Sequence, residues 1–302
     1  MPHYKNHHII PIMLLKYFAY KDKLCVYNKE SKSYRVDQNI NNVCTQNYYY
    51  GNDSILEQFL AQEVESPSAH SLEKFKINPE IISSQDKVTI ANFLTFMFLR
   101  TERGRNICAE IVRNHLEGKI INFISDPQNI KSEEEKEYAE YIKKNGFSDF
   151  TCTIPKELII TKTFDPNVLT AVYSSIYKMN WILLEAPNGY SFILGDNPIL
   201  LLVPKETLMG FNNQECILVL PLSSKLLLMT DYKTNKTKKI IMCPKYVEYL
   251  NAQSIIHSTR EVFFNKKQYD MIQPLIQEFG ENKIKFDFDD LVNPSTVKID
   301  RK

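Results

Sequence analysis

The sequence predicts an α+β fold, with a helical first half packed on a mostly antiparallel β-sheet formed largely by the second half. Three observations predict it. Residues 86–117 repeat apolar side chains at the helical period of 3.6 residues. Residues 132–145 are rich in Glu and Lys and end at Gly146, the pattern of a solvated helix with a glycine stop. From about residue 180 the helical period gives way to short β-rich apolar runs separated by turn signals. With 302 residues, 43% of them hydrophobic, the chain can bury a core without staples. The expected organisation is one large domain over residues 1–302. Its helical half covers about 1–179 and its sheet-rich half about 180–290, followed by a short polar C-terminal tail.

Each element follows from local pattern. Residues 11–20 are apolar at helical spacing, with Pro11 suited to a first turn. Residues 23–27 and 33–36 flank a polar turn and predict a hairpin. A second helix is expected from about Asp53, carrying Leu56, Phe59 and Leu60. A single long helix is expected over 86–117, and another opens at Asp165-Pro166-Asn167 and runs to about Lys178. Residues 180–186 and 190–194, joined by Pro187-Asn188-Gly189, predict a second hairpin. Short strands are expected at 199–203, 216–220 and 226–230, then a helix over 244–258 and a strand at 261–264. The tail from Ile284 onward is acidic and then polar.

Composition narrows the function classes. The 37 Lys and Arg against 36 Asp and Glu give a net charge of +1, so no dedicated duplex-DNA surface is expected. A pocket for a single phosphate is compatible with that balance. Cys25, Cys44, Cys108, Cys152, Cys216 and Cys243 are scattered, with no CxxC pair, which fits buried thiols in a reducing compartment. No stretch approaches the roughly 18 apolar residues of a membrane span, and no secretory leader is evident, so a soluble cytoplasmic protein is expected. With 8 glycines in the chain, no glycine-rich phosphate loop occurs. His70, His115 and His257 have no partners at ligand spacing, so neither a metal nor a cofactor is expected.

The most informative residue is Arg100. It lies in the middle of the apolar stripe of Phe93, Phe96, Met97, Gly104, Ile107 and Ile111. A guanidinium cannot shed its charge, so a buried one needs a carboxylate, a carbonyl or an anion. Glu63 falls on the stripe of Leu56, Phe59 and Leu60, which predicts a Glu63–Arg100 ion pair between packed helices. Such a pair either locks the core or presents the arginine to an anionic ligand. Ser54-x-x-Glu57 reads as a capping box. His8 precedes a helix start and is either a cap or a proton-transfer group. His7 is expected to face solvent. Asp196-Asn197-Pro198 reads either as an Asx-turn or as a carboxylate at a strand end beside a cleft. Asp231-x-Lys233 is a spacing too common to carry weight. Arg103 and Arg105 are expected on a solvated helix face, and Trp181 in the core.

The order of these pieces also carries a resemblance. His8-Ile9-Ile10-Pro11, the hairpin, Glu57 with Glu63, Arg100-Thr101 and Gly195-Asp196-Asn197-Pro198 follow one another, and then Pro221-Leu222-Ser223 and Asn251. This order resembles that of an uncharacterised bacterial family, domain of unknown function 4238, over roughly residues 7–264. Met13 and Leu14 depart from the family, whose members often carry polar or aromatic residues there. The resemblance implies no activity. From the residues themselves, two readings stand. One is a hydrolase acting on a phosphate ester, with His8 as acid or base, Arg100 as anion clamp, and Glu63 and Asp196 completing the site. Its most concrete form is a metal-independent, ribonuclease-like defence effector acting on RNA or a small anion. The other is a non-enzymatic sensor or ligand-binding module in which the same residues are structural or hold an anion.

Overall fold

A computed structural model describes residues 6–51, 55–150, 153–203, 211, 213–233 and 237–280. The expected C-terminal tail, Cys152, Asp53 and Ser54 lie outside the described residues. In chain order the elements are β1 (Asn6–His8), α1 (Ile12–Leu15), β2 (Lys23–Asn28), β3 (Ser33–Asn39), β4 (Thr45–Asn47) and α2 (Ile55–Phe59). A π-helical turn (Leu60–Glu65) leads into α3 (Ser66–Ile77), α4 (Ser84–Leu99), α5 (Glu102–Ser125), α6 (Glu133–Asn145), α7 (Lys156–Thr163) and α8 (Pro166–Lys178). There follow β5 (Asn180–Glu185), β6 (Leu194–Gly195), β7 (Leu200–Leu202), β8 (Ile217–Pro221), β9 (Leu226–Asp231), β10 (Lys238–Ile241), α9 (Pro244–His257), β11 (Glu261–Phe264) and α10 (Tyr269–Phe279). The architecture is α+β, with mostly antiparallel sheets.

The larger sheet has the order β10-β5-β9-β8-β7. Its strands β5, β7, β8 and β9 alternate between two buried faces, as the two-residue period of a strand requires. Trp181, Leu183, Leu201, Leu218, Leu220 and Leu228 join the core shared with the helices. Ile182, Leu184, Leu200, Leu202, Val219 and Leu227 face a second core that includes Val247 and Leu250 of α9. Burial of both faces explains why these strands read as unbroken apolar runs. Within the shared core, Phe75 of α3 meets Trp181 edge-on. Ile9, Ile10, Leu14, Leu15 and Phe18 are buried there too, so the N-terminal segment is docked. The smaller sheet, β3-β2-β11-β6, inserts the N-terminal hairpin beside the late strand β11. Its apolar face packs on α9 and α10 through residues such as Cys25, Tyr27, Val262, Ile255 and Ile276.

Three expectations are corrected, and one strand is added. The helix over 86–117 is two helices, α4 and α5, broken at Arg100-Thr101. Thr101 is extended, and its hydroxyl accepts from the Gly104 amide as the N-cap of α5. The helix over 11–20 is a single turn, Ile12–Leu15, followed by turns. Pro187-Asn188-Gly189 does form a turn, with Gly189 at φ 83°, but its flanks do not pair. β5 joins the larger sheet and β6 the smaller one, because Asn251 of α9 takes the Ile193 amide and the Ser191 carbonyl through its side chain. Finally, β10 was not anticipated. It is exposed along its whole length and pairs in parallel with β5 at the sheet edge. Among the described residues, no helix is long and apolar enough to cross a membrane.

Candidate functional site

The corner between α4 and α5 creates the site. A Cβ at Gly104 would stand 2.3 Å from the Phe98 carbonyl oxygen and 2.9 Å from the Leu99 Cα. Only glycine lets the start of α5 cross the end of α4 this closely. The corner places Arg100 at the C-terminal end of α4, 2% exposed. Its guanidinium is bonded on three nitrogens. Nε donates to the Tyr50 hydroxyl at 2.7 Å, Nη2 to the His8 carbonyl at 2.8 Å, and Nη1 to the Glu65 carboxylate. Tyr49 donates its hydroxyl to the Arg100 carbonyl.

The carboxylate is therefore Glu65, and the expected partner Glu63 is exposed. The reason is the π-helical turn over Leu60–Glu65. An α-helix continued from Leu56, Phe59 and Leu60 would point residue 63 inward. The i→i+5 geometry takes more residues per turn, so Val64 is buried instead and Glu65 reaches the arginine.

His8 ends β1, which pairs with β4. Its backbone is held on both sides. The amide donates to Glu57 Oε1, and the carbonyl accepts from both Arg100 and the Tyr50 hydroxyl. Its imidazole is half-buried, and Nε2 has no hydrogen-bond partner. Burial lowers the His8 pKa, with Arg100 adding to that effect, against the raising influence of the Ile40 carbonyl and Glu65. Glu57 is shifted the other way. Burial raises its pKa against the pull of Arg100 and the His8 amide, and its Oε2 is buried without a partner. The carboxylate thus spends one oxygen across the chain on His8. Its role as a cap with Ser54 falls outside the described residues. Burial pushes the Tyr50 hydroxyl up to about 12, so it stays protonated and relays between Arg100 and His8. His7 does not face solvent. It is 1% exposed, and its Nδ1 accepts from the Tyr50 amide.

Asp196 lies in the loop after β6. A Cβ at Gly195 would stand 2.2 Å from the Ser258 hydroxyl oxygen and 3.0 Å from the Ser254 carbonyl oxygen at the end of α9. The Asp196 carboxylate accepts from the amides of Thr259, Arg260 and Glu261. Burial raises its pKa, opposed by those three amides. Asn197 bonds the His257 carbonyl and the Thr259 hydroxyl, and its side-chain oxygen accepts from the Arg103 amide. Asp196 therefore ties β6 to the segment before β11, and Asn197 ties that segment to α5. No bond joins Asp196 to Arg100. His8 and Arg100 do come together, through the His8 carbonyl and not through the imidazole.

Arg103 and Arg105 are not on a solvated face. Arg105 is 7% exposed, with its guanidinium 3.6 Å from the Tyr49 ring centroid and Nη1 donating to the Tyr49 carbonyl. Its Nε and Nη2 are buried without partners, as is Nη1 of Arg103. Asp231 accepts from the Lys233 amide in a tight turn while Lys233 pairs with Glu215, so this pair has local structural work. Two clefts of about 490 and 450 Å³ lie elsewhere, against α6 and between α5, α7 and α8, and none of these site residues lines either.

Sequence reasoning missed Glu65, Tyr50 and Arg105 as members of the site. Tyr49-Tyr50 was the available signal, a hydroxyl-bearing aromatic pair just before α2. The fold and this site define an α+β protein organised around a buried arginine node that joins its N-terminal segment to two helices. A family described as protein of unknown function (DUF4238) matches residues 6–268, and the chain belongs to that family. No curated protein and no solved structure matches it in the comparisons.

Proposed function

We propose that this protein is a hydrolase acting on a phosphate ester, with RNA as the substrate class and His8 and Glu57 as the proton-transfer pair. The observation that carries the reading is the pair itself. His8 Nε2 and Glu57 Oε2 are buried with no partner, on residues already bonded to each other through the His8 amide. Burial moves their pKa values toward one another, down for the imidazole and up for the carboxyl. A neutral imidazole and a carboxyl that holds its proton are the two forms that acid–base catalysis needs together.

In this reaction the 2′-hydroxyl gives its proton to His8 Nε2 while its oxygen attacks the adjacent phosphorus. Glu57, whose carboxyl burial pushes toward its protonated form, gives a proton to the departing 5′-oxygen; water then opens the 2′,3′-cyclic phosphate, giving its proton to Glu57 while His8 returns its own to the departing 2′-oxygen. Arg100 is then a positioning residue and not an anion clamp. Its three nitrogens fix the His8 carbonyl, Tyr50 and Glu65. Asp196 likewise positions the chain at 259–261. A cytoplasmic, ribonuclease-like defence effector is the biological form of this reading.

The test is expression of wild type and His8→Ala in a bacterial host, with growth and the integrity of total RNA and DNA compared. Cleavage of an RNA oligonucleotide by the purified proteins follows. The expected result is RNA loss with wild type and a rate lower by about 10²–10⁴ for His8→Ala at little change in melting temperature. Equal cleavage by the two proteins, or none by wild type, overturns the reading. The burial and saturation of Arg100 favour a second reading, a non-enzymatic binding module. On that reading His8→Ala alters stability or ligand affinity and no turnover is found.

A further inference from the structure

We infer that the buried Nε–Nη2 edge of Arg105 receives the two non-bridging oxygens of a phosphodiester, an inference that rests on the proposed reaction for its substrate class. Arg105 is 7% exposed, and one of its three nitrogens is committed, Nη1 to the Tyr49 carbonyl. Nε and Nη2 lie on the same side of the planar guanidinium, with N–H bonds spaced for two oxygens of one anion. Both are buried and without an acceptor. A guanidinium cannot escape this by losing its proton.

No acceptor among the described residues bonds this edge. The Tyr49 and Tyr50 hydroxyls donate to the Arg100 and His8 carbonyls. Arg100 is a like charge, already paired with Glu65. Glu102 is a carboxylate whose charge acts on Arg105, and it is paired with Arg260 at 3.6 Å. The edge also belongs to the cluster that holds the proton-transfer pair. Arg105 lies 5.2 Å from the Tyr50 ring centroid, and the Tyr50 hydroxyl bonds the His8 carbonyl. The Nε–Nη2 edge of Arg105 therefore offers one positive charge on a two-pronged face. A phosphodiester carries one negative charge over two equivalent oxygens and matches it. A monoester dianion leaves a charge uncompensated.

The probe is dimethyl phosphate, titrated into the full chain by calorimetry, with acetate in parallel. Saturable binding to wild type is expected, weakened by about tenfold or more in Arg105→Lys, which keeps the charge and loses the fork. In wild type the Arg105 Nε–H resonance should shift with dimethyl phosphate, a readout that does not depend on a variant folding. The inference is overturned by no binding to wild type, by equal affinity in Arg105→Lys, by an unmoved Nε–H resonance, or by acetate binding more tightly. It is also overturned if Glu102→Gln destabilises the fold as much as Arg105→Gln while the probe has no effect, since Glu102 is then the true acceptor. The outcomes separate from those of the reaction. RNA left intact with probe still bound at Arg105 refutes the hydrolase, whereas cleavage with probe affinity unchanged in Arg105→Lys refutes only the phosphodiester fork.

Discussion

Glu65→Gln should destabilise the protein where Glu63→Gln does not. Arg100 is 2% exposed and cannot be neutralised, so its charge must be met inside the fold. Removing one partner of a buried pair costs about 3–5 kcal/mol. The Glu65 side chain is 19% exposed, which softens the loss through solvent. Glutamine also keeps the volume and an oxygen for Nη1, while Tyr50 and the His8 carbonyl still hold the other nitrogens. The lower end of the range, about 3 kcal/mol, is therefore expected. At about 2.1 cal/mol/K per residue over 302 residues, the unfolding entropy is roughly 0.63 kcal/mol/K, so Tm should fall by about 5 °C. Glu63 is exposed, and its substitution should shift Tm by less than about 1 °C. Differential scanning calorimetry at neutral pH measures both. Equal melting of the two variants would refute the argument that the π-helical turn selects the carboxylate.

Two further outcomes follow from the same structure. Gly104→Ala gains about 1 kcal/mol of helix propensity but forces a methyl against the Phe98 carbonyl at 2.3 Å, so a net loss of about 1–3 kcal/mol is expected in urea unfolding; a stabilised variant would show that α5 does not cross α4 so closely. His257 is half-buried near Arg103 and Lys29, and desolvation first, then these two charges, lowers its pKa to about 4. The unfolded chain then binds the proton near pH 6.5 and the folded chain does not, so stability should be full above pH 6.5 and fall as pH drops toward 4. His8, also lowered, adds in the same direction. His257→Gln should flatten this dependence, and an unchanged slope between pH 6.5 and 4 would count against a half-buried neutral imidazole.

The sequence by itself determined the class of fold, because that class follows from local periods. The 3.6-residue repeat marked α4, Asp165-Pro166-Asn167 marked the opening of α8, and the two-sided burial of β5, β8 and β9 wrote itself as apolar runs. The glycine stop of α6 was legible in Gly146, since it satisfies backbone groups within a few residues. Arg100 stood out because a charge in an apolar stripe is costly in any fold. The order of short motifs also pointed to the family. Tertiary structure decided what Arg100 meets. Whether residue 63 or 65 turns inward depends on a π-helical turn that no local period announces. Whether Gly104 sits mid-helix or at a corner depends on two helices crossing within a methyl's reach. The Pro187-Asn188-Gly189 turn could not reveal that Asn251, about sixty residues later, would draw β6 into the other sheet. The pairing of His8 with Glu57 and the free edge of Arg105 likewise exist only once Tyr49 and Tyr50 bring β1, α2 and α5 together. Burial and hydrogen bonding between distant segments are properties of the packed chain, and they assign the chemistry that residue identity alone leaves open.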